Sequence, residues 1–238
     1  MLHELTVLAI TAASLGFVHT ILGPDHYIPF IAMARAGKWS TIKTTLITIA
    51  CGAGHVLSSI LLGAVGIAMG IALGQIEIIE SSRGEIAGWL LVGFGLMYLL
   101  WGLKKAYRHK PHVHYHTHSD GTLHVHNHGH NGDHYHVHKK ENDGRSLTPW
   151  ILFTIFIFGP CEVLIPVLMY PAATESIPGM IVIVTVFSIT TISTMLAIVL
   201  ITLYGIRFVR FGKLERYTHA LAGAMILLSG VTIAVLGI

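Results

Sequence analysis

Five ionisable side chains lie inside otherwise apolar stretches of this 238-residue chain: His19, Asp25, His26, His55 and Glu162, the last preceded by Cys161. A charge at the centre of a bilayer costs at least ~2.5–3.5 kcal/mol on insertion scales, so residues of this kind are functional candidates by default. Imidazole nitrogen with carboxylate oxygen is a donor set suited to a divalent first-row metal ion. His19 and His26 are seven residues apart, two helical turns, and share a face if the helix is continuous. A break at Pro24 would instead swing Asp25 and His26 into the wall of a cavity. Either arrangement lets His55 approach from the next apolar segment. Glu162 fits three roles: a proton-coupling carboxylate, a metal ligand, or a lumen-facing residue near one mouth.

A second group of donors is denser. Between His109 and His138 lie 12 of the chain's 17 histidines, many alternating: His112, His114, His116 and His118, then His124, His126, His128 and His130, then His134, His136 and His138. Alternation suggests a strand, but the segment is short of apolar residues and carries Gly121, Gly129, Gly132 and Gly144. It reads as a largely disordered metal-binding tract. Neutral imidazoles suit Ni, Co, Cu or Zn, and no spacing here selects one. His3 adds a third candidate. With the terminal amine and two amides it could form a square-planar nitrogen site of the kind Cu(II) or Ni(II) prefers, although an incidental interfacial histidine is the favoured reading. Cys51 and Cys161 are the only cysteines and imply no disulfide framework.

The elements that must position these groups are membrane helices. Hydrophobic residues make up 53% of the chain and charged ones only 11%, and the charges avoid long stretches. Apolar runs cover about 5–34, 44–76, 86–103, 147–172, 176–206 and 217–238. A hydrocarbon core of ~30 Å needs roughly 20 helical residues, so each run can cross once; the first, second and fifth are long enough to require tilting or a break. Lipid offers backbone groups no water partner, which leaves helices as the reading: an all-α, polytopic membrane protein of about six spans. The first run lacks a basic start and carries Glu4, so it reads as a retained helix rather than a leader. Loops 35–43, 104–146 and 207–216 hold 14 of the 15 basic residues, leaving only Arg83 elsewhere. The positive-inside rule then makes those loops cytoplasmic and puts both termini outside, in a multi-pass protein of the inner (cell) membrane. The net charge of +3 is topological and gives no sign of nucleic acid as a partner. The expected partners are the lipid bilayer and a divalent metal ion, and a homo-oligomer is compatible with the sequence.

The chain also looks duplicated. Gly23-Pro24-Asp25 answers to Gly159-Pro160-Cys161, Ala87-Gly88, Gly95 and Gly102 answer to Ala222-Gly223, Gly230 and Gly237, and His55–Ser59 faces Thr190–Thr194, all at an offset of 135–136 residues. Three helices per unit is an odd number, so the halves, 1–103 and 147–238 around the loop 104–146, are expected in opposite orientations. Inverted repeats of this kind recur in secondary transporters, with the substrate near mid-membrane where helices are interrupted. Each Gly-Pro step supplies such an interruption, and the carbonyls it frees must face a polar cavity or neighbouring protein.

The segment His19-Thr20-Ile21-Leu22-Gly23-Pro24-Asp25-His26, a histidine in the second helix, Gly159-Pro160-Cys161-Glu162 and the His-rich loop together resemble the nickel/cobalt transporter families. The closest resemblance is to the NicO and UreH-like branch of the lysine-exporter-like (LysE) superfamily. It covers the chain outside the loop and implies a six-helix carrier of Ni²⁺ or Co²⁺, with the first helix's histidine–aspartate motif binding the ion. The importer signature has four residues between its histidine and Asp-His; five intervene here. Efflux is favoured, with the loop collecting scarce cytoplasmic ions. The alternatives are a nickel importer or urease-accessory delivery protein, and a membrane thiol–disulfide electron carrier, for which the repeat partner of Cys161 would be Asp25 rather than a second thiol. No P-loop is visible, and neither enzymatic activity nor a resident cofactor is expected.

Overall fold

A computed structural model of the chain describes residues 2–71, 73–108, 112–117, 123–128, 147–159, 161, 163–173, 176–209 and 212–236. Eight α-helices lie among them: α1 (Leu2–Leu22), α2 (Ile28–Ala36), α3 (Thr41–Ala68), α4 (Leu73–Arg108), α5 (Thr148–Phe158), α6 (Leu164–Ala173), α7 (Ile177–Ile206) and α8 (Thr218–Leu236). Short 3-10 turns at Pro24–His26 and Gly212–Tyr217 precede α2 and α8. Five helices, α1, α3, α4, α7 and α8, are long and apolar enough to cross a membrane. Their outer faces carry bare apolar side chains; Leu46, Leu57, Leu61 and Val65 of α3 are all more than half exposed. Water would penalise such a surface and lipid would not.

The Gly-Pro steps interrupt helices where expected. Pro24 ends the α1 ladder and starts a 3-10 turn, and the Tyr27 hydroxyl donates to the Ile21 carbonyl that the break has freed. The fourth apolar run is likewise two short helices, α5 and α6, of 11 and 10 residues. α3 stops at Ala68 because Gly70, at φ +66, closes it. Ile71 N–H donates to Gly66 O and Gly70 N–H to Ile67 O, the paired bonds of a Schellman motif. α4 therefore begins at Leu73, well before residue 86 where the apolar run starts, and takes Glu77, Glu80, Arg83 and Glu85 into the helix. Inside the His-rich loop, strands β1 (His112–Thr117) and β2 (Leu123–His128) pair antiparallel where disorder is expected. The alternation set aside in favour of disorder is the pattern these strands follow. The register sets His112 opposite His128, His114 opposite His126 and His116 opposite His124.

α4 and α8 pack backbone to backbone and antiparallel. A Cβ on Gly95, Gly102 or Gly223 would fall under 3.0 Å from main-chain atoms at Leu227, Ala220 or Leu99 of the facing helix. In lipid, small residues that allow such an approach are a main source of helix association. α1 packs on α7 and α5 on α3; α2 packs on α8 and α6 on α4. The basic ends meet as well: Arg207 Nη2 donates to Thr41 Oγ1, joining the 35–43 and 207–216 turns, and Lys105 Nζ lies 3.0 Å from His219 Nε2. Gly93, on the same helix as Gly95, has nothing within 4 Å of a would-be Cβ. Gly95→Ala should therefore lower the thermal midpoint in detergent, as overpacking costs ~1–3 kcal/mol, while Gly93→Ala leaves it unchanged or raises it. Equal midpoints for the two variants would contradict this packing.

Candidate metal centre

The break at residues 23–27 brings the first motif inward. His19 ends α1 half-buried, and the 3-10 turn carries His26 into the interior at 2% exposure. His55, in the middle of α3, is 1% exposed. One donor atom from each of these three imidazoles lies within 4.8 Å of the other two. The rings of His19 and His26 meet edge-on at 4.7 Å between centroids, and those of His26 and His55 at 5.0 Å. Phe156 and Phe187 flank the group, 6.3 Å from His55 and 6.2 Å from His19.

The rings are under-satisfied. His26 Nε2 and both nitrogens of His55 are buried with no hydrogen-bond partner among the described residues. An unpaired buried polar group costs ~1–3 kcal/mol, so three together at one place mark a site rather than an accident of packing. Asp25 does not join the ring of donors. Its Oδ1 lies 3.1 Å from His26 Nδ1, with Gly23 O at 3.2 Å from the same nitrogen. Both neighbours of Nδ1 are acceptors, which puts the proton there and leaves the Nε2 lone pair free. Carboxylate–histidine pairs of this form orient metal ligands.

Both glycines of the Gly-Pro steps are space for imidazoles. A Cβ on Gly159 would stand 3.0 Å from His55 Nδ1, and one on Gly23 would overlap the His26 ring. Their φ values, −58 and −86, are open to any residue, so the requirement at both is room.

Three features of the site go beyond the sequence pattern, in which Cys161 stands only beside Glu162 and as a thiol candidate, Arg83 counts only for topology and Glu80 is not singled out. Cys161, fully buried at the second break, has its Sγ 4.0 Å from His19 Nε2. Glu80, at 0% exposure, accepts from the Cys161 N–H at 3.2 Å and from Ser59 Oγ at 3.3 Å. Arg83, one turn on, pairs with Glu80 and donates through Nη2 to Ser58 Oγ at 2.7 Å, Ile157 O at 2.8 Å and Gly159 O at 3.4 Å. The carbonyls freed by the second break thus face a guanidinium rather than lipid. The signal was an Arg three residues after a Glu close to an apolar run, visible but outside the run's apparent limits.

Among the described residues are two cavities lined in part by charged side chains, and no imidazole of the cluster lines either. One, about 590 Å³, lies at the basic end between Arg35, Lys38, Trp39, Tyr204 and Arg207. The other, about 570 Å³, is lined by Glu77, Glu80, Ser81, Val163 and Pro166. His3 is exposed in the first turn of α1, and a square-planar site there requires that turn to unwind. His112, His114, His116, His124, His126 and His128 fall in the hairpin strands. Glu162, His118, His130, His134, His136 and His138 lie outside the described residues. Both cysteines are free; Cys51 packs with Phe30, Met33 and Met195, whereas Cys161 belongs to a different apolar cluster with Leu164 and Phe187. No protein-family model, curated protein or solved structure matches this chain.

Proposed function

We propose that this protein is a secondary transporter that moves a divalent transition-metal ion, nickel or cobalt, through the site formed by His19, His26 and His55. One observation carries the reading: two buried imidazoles and a half-buried one, from two broken or membrane-length helices, converge within 4.8 Å while three of their ring nitrogens lack partners among the described residues. An ion entering that space would satisfy the nitrogens that the fold leaves unpaired. The cavity lined by Arg35, Lys38 and Arg207 and the one lined by Glu77 and Glu80 then serve as the inner and outer vestibules of the site. In this reading the chain makes six spans as two inverted three-helix repeats, the α5–α6 pair forming the broken fourth span. The reciprocal pairings α1–α7 with α5–α3, and α2–α8 with α6–α4, support it. So do the matched glycine contacts, in which Gly95 on Leu227 mirrors Gly230 on Val92 at the repeat offset of 135. The basic ends face the cytoplasm of the inner membrane, both termini lie outside, and the His-rich loop collects ions for efflux.

The test is flux of radioactive nickel and cobalt in proteoliposomes, measured in both directions with and without a pH gradient. Wild-type protein should move either ion, and His55→Ala should reduce flux at least 100-fold, to the leak of empty vesicles, while eluting as folded protein. Wild-type rates in His55→Ala would end the proposal. Flux only into vesicles from the face carrying the termini would assign import instead.

A further inference from the structure

The imidazole group is one donor short. Structural zinc sites take four donors, and three neutral imidazoles supply no negative charge of their own to a divalent ion in a low-dielectric interior. Asp25, the obvious anion, is engaged at His26 Nδ1 and stands outside the mutually close set of donors. Among the described residues, the Cys161 sulfur also stands outside that set, but it lies 4.0 Å from His19 Nε2 and, unlike Asp25, is not engaged by an imidazole Nδ1. Sulfur and nitrogen bound tetrahedrally to one ion, at ~2.3 and ~2.0–2.1 Å, stand about 3.5 Å apart, close to the Cys161–His19 separation, so binding would draw the sulfur in toward the other two imidazoles. The sulfur's position is set by its backbone: the Cys161 N–H is held by Glu80 and the preceding carbonyl of Gly159 by Arg83.

We infer that Cys161 supplies the fourth, anionic donor, making the site a mixed three-histidine, one-thiolate centre. This rests on the transport reading for its ligand, a divalent first-row ion. It gives the second break a function parallel to the first: the turn at Pro24 delivers Asp25 and His26 to the centre, and the end of α5 at Gly159 leads to Cys161. A soft sulfur donor would favour cobalt, nickel and zinc over magnesium, calcium and manganese, which prefer oxygen. Cys51 is the competing thiol. It lies one helical turn before His55, but in the apolar cluster of Phe30, Met33 and Met195.

Titration of the full detergent-solubilised chain with Co²⁺, followed by absorption spectroscopy, decides the matter. Cobalt held by the His-rich loop or His3 would meet no thiol there, so a thiolate-to-cobalt charge-transfer band reports only on Cys51 or Cys161. The expected result is a band in wild type that persists in Cys51→Ser and is lost in Cys161→Ser, with Cys161→Ala as a second variant retaining the wild-type elution profile. Wild-type protein saturated with Co²⁺ but lacking the band overturns the inference without any variant. A band removed by Cys51→Ser and kept by Cys161→Ser overturns it equally. If flux persists alongside either overturning result, transport stands and only the thiolate falls; absence of flux sinks transport itself.

Discussion

Arg83→Met should be the most destabilising single substitution in the protein, lowering unfolding free energy by ~3–5 kcal/mol, the usual cost of breaking a buried ion pair from one side. Glu80 is wholly buried, and removing the guanidinium would strand its carboxylate among Ser59, the Cys161 amide and apolar neighbours. The same change removes the donors to Ser58 Oγ, Ile157 O and Gly159 O, which the broken α5–α6 span cannot satisfy internally. Glu80→Gln/Arg83→Met should recover part of the loss, because the stranded charge is gone while the orphaned carbonyls remain. A thermal or denaturant melt in detergent over the double-mutant cycle separates the two contributions. Additive losses would mean that Glu80 and Arg83 do not act as a pair.

That network also shows why the sequence reads well in some places and poorly in others. The apolar runs and the Gly-Pro steps are local patterns with direct physical consequences, and long apolar helices and a break after Leu22 follow them. The convergence of His19, His26 and His55 was equally legible, because ionisable side chains in apolar surroundings have few acceptable places to go. Arg83 was legible only as the one basic residue outside three basic loops. Charge counting treats it as a minority vote on orientation, yet it lies within α4 and ties that helix to the second break. Its role depends on residues more than 70 positions away, and no spacing within α4 encodes them. The proximity of Cys161 to His19 was hidden for the same reason: the contact spans 142 residues. The start of α4 was misplaced because hydropathy ends a run at a charge, whereas a paired charge does not end a helix. In the loop, the alternating histidines point to a strand and the composition points to disorder; β1 and β2 follow the alternation over their twelve residues.

Asp25→Asn should reduce metal flux by ~10–100-fold at subsaturating ion, the range typical of lost ligand-orienting partners, without changing the melt. The geometry makes Asp25 an orienting group. Its carboxylate sits on His26 Nδ1, and Gly23 O shares that nitrogen, so the proton stays on Nδ1 and Nε2 keeps the lone pair needed for a metal. Asparagine preserves volume and an oxygen acceptor but removes the charge that raises the basicity of the ring. Asp25→Leu removes the acceptor too, leaving only Gly23 O to hold the tautomer, and should fall further. His26→Ala deletes the donor itself and should abolish flux. The expected order is therefore wild type, Asp25→Asn, Asp25→Leu, His26→Ala, with half-saturating metal concentration rising along the first three. If Asp25 instead bound the ion directly, Asp25→Asn would match His26→Ala, because a neutral amide oxygen is a poor substitute for a carboxylate beside a divalent ion in a buried site. Flux through Asp25→Asn that equals wild type would mean that the Asp25–His26 contact serves packing alone.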